Sequence, residues 1–208
     1  MKIVLFDLDG TIADTLPMCI TAFTKAVEPY LGRNLYTEEI EQAFGLNEEG
    51  MIKQIVGHEW SKALHDFYIL YSNMHNMCPL PFTGIRPLIH SLRENGIQTA
   101  LVTGKGEFTT FFSLRYWNMQ DDFNFIETGS SQKNRKPEAI ESILKQSHVA
   151  KKDAIYIGDT VSDVISCQSI GIKCLSAAWN KNRQIKELEN INKNNVIYSI
   201  SDLNSRFY

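Results

Sequence analysis

The chain has 208 residues, of which 43% are hydrophobic and 22% charged, with a formal net charge of −3. That is an ordinary globular composition, at a length that supports one domain or one domain with an insert. Its Lys and Arg gather into no long run, so nucleic acid and acidic membrane surfaces are not expected partners. Cys19, Cys78, Cys167 and Cys174 include no C-x-x-C pair, which argues against a zinc or thioredoxin-like site and for buried thiols. His58, His65, His75, His90 and His148 lack the helical spacing of a metal site and read as surface or core residues. The chain begins a strand at once, without a signal-peptide core, and holds no apolar span of about 18 residues, so a cytoplasmic location without membrane contact is expected.

Ile3 to Phe6 is a short apolar run with β-branched members, the pattern of a strand buried on both faces of a parallel sheet. Asp7 and Asp9 follow two apart, so in an extended chain they project to the same side, and Gly10 allows a sharp turn. Two carboxylates at the end of a buried strand repel and raise a pKa unless a cation lies between them. Oxygen-only ligands point to magnesium. On these residues alone a plain strand-to-loop turn stays open.

From Leu16 to about Met77 helical periodicity takes over, and the spacing predicts about four helices. The first carries Ile20, Phe23, Thr24, Val27 and Leu31 on one face and closes at Gly32, with Pro29 a possible earlier stop. Helices are also expected to open at Thr37-Glu-Glu-Ile40 and Asn47-Glu-Glu-Gly-Met-Ile52, and to run from Glu59 to Met77. The Tyr68, Leu70, Tyr71 and Met74 stripe reads as packing. The stretch Gly45 to Met51 is the best candidate for a loop that meets substrate, with an ordinary helix connection equally open. Pro79-Leu-Pro-Phe-Thr-Gly84 reads as a linker or hinge.

Beyond it, helices and strands alternate as in a doubly wound sheet. Helices are expected at Arg86–Glu94, Phe108–Trp117, Pro137–Gln146, Val161–Ser169 and Lys181–Leu188. Strands are expected at Ile97–Val102, Phe123–Ile126, Ala154–Ile157, Ile172–Leu175 and, at an edge, Val196–Ser199. Sites in such sheets lie at the carboxyl ends of strands.

Three further patterns fall at those ends. In Ala100-Leu-Val-Thr-Gly-Lys105 a strand stops at Thr103 and Gly104, where a hydroxyl and backbone amides can hold a phosphate oxygen; a simple turn is the alternative, and Lys105 either assists or points to solvent. In Arg135-Lys-Pro137 the proline suits a first helical turn, and Lys136 is placed to offset the charge of a phosphate and a carboxylate, with a solvated helix start as the alternative. Arg135 reads as a neighbouring surface charge. In Ile155-Tyr-Ile-Gly-Asp-Thr-Val-Ser-Asp163, Asp159 sits in the turn after a strand and Asp163 opens the next helix. Both can converge on one cation, or Asp163 can serve the helix start.

Asp7-Leu-Asp-Gly-Thr-Ile-Ala-Asp14 resembles the first motif of the haloacid dehalogenase-like hydrolase superfamily, and the three later patterns match the remaining motifs in order across essentially the whole chain. The helical insertion resembles the subgroup that contains phosphoglycolate phosphatase and β-phosphoglucomutase. The resemblance implies an α/β, doubly wound, mainly parallel Rossmann-like core with an inserted all-α cap: residues 1–15 and 80–208 as catalytic core, and 16–79 as cap. It implies Asp7 as nucleophile forming an aspartyl-phosphate, and Asp9 as acid/base whose backbone carbonyl also binds magnesium. Thr103, Gly104 and Lys136 would hold the phosphoryl group. Asp159 would be a metal ligand with Asp7, and Asp163 a further ligand or an anchor for one; Asp14 would be structural. The expected activity is magnesium-dependent hydrolysis of a small phosphorylated metabolite, with a phosphomutase or a non-catalytic phospholigand-binding protein as alternatives. The substrate and the oligomeric state stay open; residues near Trp117 and Trp179 could form either a dimer surface or core.

Overall fold

A computed structural model describes residues 1–43, 45–180, 185–204 and 206–207, and every side chain among them except those of Thr37, Glu41 and Asn204. Strand β1 (Ile3–Phe6) is buried along its whole length. Its alternating side chains explain why: Ile3 and Leu5 pack into one apolar layer, Val4 and Phe6 into the other.

Four helices follow: α1 (Leu16–Leu31), α2 (Thr37–Gln42), α3 (Glu48–Val56) and α4 (Trp60–Met74). Met18, Ala22, Phe23, Ala26 and Val27 form the buried face of α1, which packs along α4 with Phe23 edge-on to Phe67. Helix α1 runs through Pro29 and stops at Gly32, whose φ of 65° supplies the left-handed cap. Pro29 does not end it, because the proline lies in the last turn and forfeits a single backbone bond. Helix α4 gives way after Met74 to a tighter 3-10 turn. The outgoing and returning connections then meet, the Phe82 N–H donating to the Ile12 carbonyl at 2.9 Å.

The remainder alternates: α5 (Ile85–Glu94), β2 (Gln98–Val102), α6 (Glu107–Tyr116), β3 (Phe125–Glu127), α7 (Lys136–Gln146), β4 (Ala154–Gly158), α8 (Val161–Ile170), β5 (Lys173–Ala177), α9 (Ile185–Asn192), β6 (Val196–Ile197) and α10 (Ile200–Asn204). The six strands form one parallel sheet in the order β3-β2-β1-β4-β5-β6. Buried residues of α5, α6 and α10 share one face with the helices before them, and those of α7, α8 and α9 cover the other. This is the doubly wound α/β arrangement expected from the sequence. Strand β3 starts later than Phe123, which turns into the core against Phe6, with ring centroids 6.4 Å apart. Of the helix expected at Lys181–Leu188, residues 181–184 lie outside the described residues and the rest belongs to α9. No described helix is long and apolar enough to cross a membrane.

The register fixes where the site falls. Phe6 is level with Leu101 of β2 and Ile157 of β4. The first polar residues beyond these central strands, Asp7, Thr103 and Asp159, therefore emerge together at the carboxyl edge.

Candidate active site

Asp7 continues the ladder by donating its N–H to the Ile157 carbonyl at 2.8 Å, and Thr103 does so by donating to the Glu127 carbonyl at 3.1 Å. Both are buried. The Thr103 hydroxyl accepts the Lys105 N–H at 3.2 Å, closing a small turn over Gly104. Gly129 is required beside it, because a Cβ there would run into the Gly104 carbonyl. One carboxylate oxygen each from Asp7, Asp159 and Asp163 lies within 4.8 Å of the others.

Lys136, the first residue of α7, crosses to this group. Its Nζ lies 3.2 Å from Asp7 Oδ2 and 2.5 Å from Asp163 Oδ1. Burial works against the ammonium's charge, but Asp163 and then Asp7 outweigh it and hold its pKa above the ordinary lysine value. Asp163 is doubly committed. It completes a capping box with Thr160, whose N–H and hydroxyl reach Oδ2 at 3.0 and 2.6 Å, while the Tyr156 hydroxyl lies 3.1 Å from Oδ1. Burial opposes its charge, yet Lys136 and the Thr160 hydrogen bonds keep its carboxyl below the usual range. Gly158 makes the fold-back possible, since a Cβ there would lie 2.5 Å from Asp163 Cγ. Asp159 accepts a long bond from the Thr11 hydroxyl at 3.5 Å.

Asp7 is balanced differently. Burial pushes its carboxyl up to about 7, Lys136 opposes this, and Asp163 and Asp9 add to the rise. Asp7 Oδ1 has no hydrogen-bond partner among the described residues. A buried acceptor without a donor, among oxygen ligands only, fits a hard divalent cation such as magnesium.

Asp9 stands apart, half-buried, with the Thr15 hydroxyl donating to Oδ1 and Lys105 Nζ at 3.3 Å. Lys105 does not point to solvent. Its ammonium also lies 3.0 Å from Cys19 Sγ, 3.8 Å from Glu48 Oε1 and 4.8 Å from the Tyr71 ring centroid. Burial works against its charge; Asp9 first, then Cys19, Tyr71 and Glu48 outweigh it and keep its pKa well above the ordinary value.

The stretch 45–51 meets the core rather than merely connecting helices. Asn47 caps α3 by accepting the Gly50 N–H at 3.0 Å, and its own N–H donates to the Ser130 carbonyl at 2.9 Å. The buried Glu48 accepts the Gly106 N–H at 2.6 Å and the Thr109 hydroxyl at 2.5 Å. Asn47 also lines a cleft of about 470 Å³ with Gly129, Ser130, Ser131, Lys133, Arg135 and Glu138.

The sequence marked the stretch 45–51 without singling out Glu48 within it, and gave Lys105 no certain place. Arg135 is only half exposed and pairs with Glu127 at 2.9 Å. Asp14 accepts the Asn180 side-chain amide at 3.1 Å, a structural contact. Trp117 is buried and Trp179 partly so, their indoles donating to Cys78 and Thr11 carbonyls, so core packing accounts for both. All four cysteines are free.

Fold and carboxylates together define an α/β protein with an acidic site at the carboxyl ends of its central strands. The chain belongs to the haloacid dehalogenase-like hydrolases, whose family model matches residues 4–177. It is 26% identical over 202 residues to the phosphoglycolate phosphatase of Nitrosospira multiformis, covering 91% of this chain and 89% of that one. It is 24% identical over 200 residues to phosphoglycolate phosphatase 1 of Pseudomonas aeruginosa, covering 89% and 73%. Its fold matches that of CbbY from Rhodobacter sphaeroides, solved with phosphate, with a TM-score of 0.79 at 17% identity over 98% and 96% of the two chains.

Proposed function

We propose that the chain is a magnesium-dependent phosphatase that hydrolyses a small phosphorylated metabolite through an aspartyl-phosphate on Asp7. The observation that carries this reading is the pairing at Asp7: one oxygen faces Lys136 at 3.2 Å and the other, buried, has no hydrogen-bond partner among the described residues. The phosphatase names of the relatives support the class of reaction.

Asp7, Asp159 and the Asp9 backbone carbonyl would hold the magnesium, with Asp163 as a further ligand or as the anchor of Lys136. Bound there, the ion supplies positive charge that offsets the phosphate and keeps Asp7 ionised. The Asp7 carboxylate attacks phosphorus in line, and the P–O bond to the leaving alcohol breaks. Lys136 and the Thr103–Gly104 turn stabilise charge on the transferring oxygens. Asp9 gives its proton to the leaving oxygen, then takes one from the water that cleaves the acyl phosphate, regenerating Asp7 and releasing inorganic phosphate. Residues 16–79 act as a cap over this edge, limiting water access and contacting the leaving group.

The test is phosphate release from a panel of phosphate monoesters, with and without magnesium, by wild type, Asp7→Asn and Asp9→Asn. Magnesium-dependent release by wild type and its loss in both variants is the expected result. Release that survives in Asp7→Asn would overturn the nucleophile assignment.

A further inference from the structure

Resting on that reading, we propose that Glu48 is a specificity residue that restricts the enzyme to phosphate monoesters whose leaving group carries no negative charge. The geometry begins at Asp9. As the acid that protonates the leaving oxygen, it fixes where the rest of the substrate must lie. Its carboxylate and that of Glu48 share one ammonium, that of Lys105, at 3.3 and 3.8 Å. The group attached to the leaving oxygen therefore emerges beside Lys105 and Glu48.

Two features on this side could attract an anion, and both are taken. Lys105 is enclosed by Asp9, Glu48, Cys19 and Tyr71, with 5% of its side chain exposed. The N-cap Gly106 N–H of the ten-residue α6, together with the Thr109 hydroxyl of its first turn, is given to Glu48. The approach is built in: a Cβ on Gly106 would lie 2.6 Å from Glu48 Oε2. With Asp9 carrying the proton it gives to the leaving oxygen, Lys105 is balanced by Glu48, so this side has no net positive charge to attract an anion. A second carboxylate or phosphate on the substrate would face the Glu48 carboxylate and could gain these donors only by displacing that buried, doubly hydrogen-bonded group. The same argument disfavours a mutase, which must seat a sugar bearing a second phosphate.

The decisive comparison is between 2-hydroxyethyl phosphate and phosphoglycolate, which differ at one end by a hydroxymethyl group against a carboxylate. p-Nitrophenyl phosphate serves as a general reporter of phosphatase activity. Wild type is expected to favour the neutral ester in kcat/KM by about tenfold or more, mainly through KM, as expected when like charges are opposed. In Glu48→Gln and Glu48→Ala, each checked for a cooperative melt, the ratio should move towards one. A wild-type preference for the carboxylated ester, or no preference, overturns the proposal whether or not the variants fold; so does an unchanged ratio in folded variants. If the reporter is hydrolysed without such a preference, the specificity assignment alone falls. If neither the reporter nor either ester is hydrolysed, the phosphatase reading falls and takes this inference with it.

Discussion

In the proposed mechanism Asp7 and Lys136 carry most of the chemistry, and each also carries a structural burden. Replacing Asp7 by Asn keeps the shape and removes the proposed nucleophile, so kcat should fall by about a thousandfold or more, read as phosphate release. Replacing Lys136 by Met leaves Asp163 buried without its cation. Breaking a buried pair in this way costs about 3–5 kcal/mol, which urea unfolding would measure; an unchanged midpoint would contradict the charge balance described here. His75 gives a pH signature. It is buried, 2.9 Å from the Ser113 hydroxyl and ringed by Phe112, Tyr116 and Trp117, and burial pushes its pKa down from 6.5 to about 4. The unfolded chain therefore binds the extra proton first. The stability held by neutral His75 is complete above pH 6.5 and drains away as pH falls towards 4. Unfolding free energy followed over that window should decline less steeply in His75→Phe. At this scale the six motif residues were legible because each follows an apolar strand or opens a helix. Glu48 was not, because a first-turn acid after an Asn cap looks the same whether it faces water or a loop 58 residues away.

Among the elements, α3 has the most informative seat. Glycine within a helix normally costs about 1 kcal/mol relative to alanine, so Gly50→Ala would ordinarily stabilise. Here a Cβ at residue 50 would lie 2.6 Å from the Ser131 carbonyl oxygen and 2.8 Å from its Cα. Gly50→Ala should therefore destabilise, by about 1–3 kcal/mol if the clash is relieved by small backbone shifts. A rise in melting temperature would mean that α3 does not rest on the 129–131 loop. The alternation of helices and strands gave the core elements from sequence, since buried parallel strands are short and apolar and their helices strongly periodic. Ends were less legible where tertiary packing decided them: Phe123 looks like a strand residue and is a core plug, while Pro29 looks like a stop and sits where a stop was due anyway.

For the whole molecule, the proposed magnesium site makes stability depend on the metal as well as on the core. A ligand that binds only the folded chain at about a hundred times its Kd adds about 2.7 kcal/mol. For a chain of this size that corresponds to a rise in Tm of roughly 5–11 °C. Saturating magnesium should produce a shift of this order in wild type, and most of it should vanish in Asp7→Asn. The doubly wound sheet was readable because its strands place their polar residues at one edge. How the helices of residues 16–79 meet that edge was not, because the contacts of Glu48, Asn47 and Gly50 join segments far apart in sequence and leave no periodic trace. The central claim is that the phosphoryl group passes through Asp7. Its most direct test is to mix wild type and Asp9→Asn with magnesium and p-nitrophenyl phosphate, whose phenolate leaves without a proton from Asp9, quench in acid, and determine by mass spectrometry which peptide gains a phosphoryl group. The account predicts that group on Asp7, labile to hydroxylamine and absent from Asp7→Asn. A phosphoryl group on any other residue, or phosphate release with none ever bound to the protein, would contradict it.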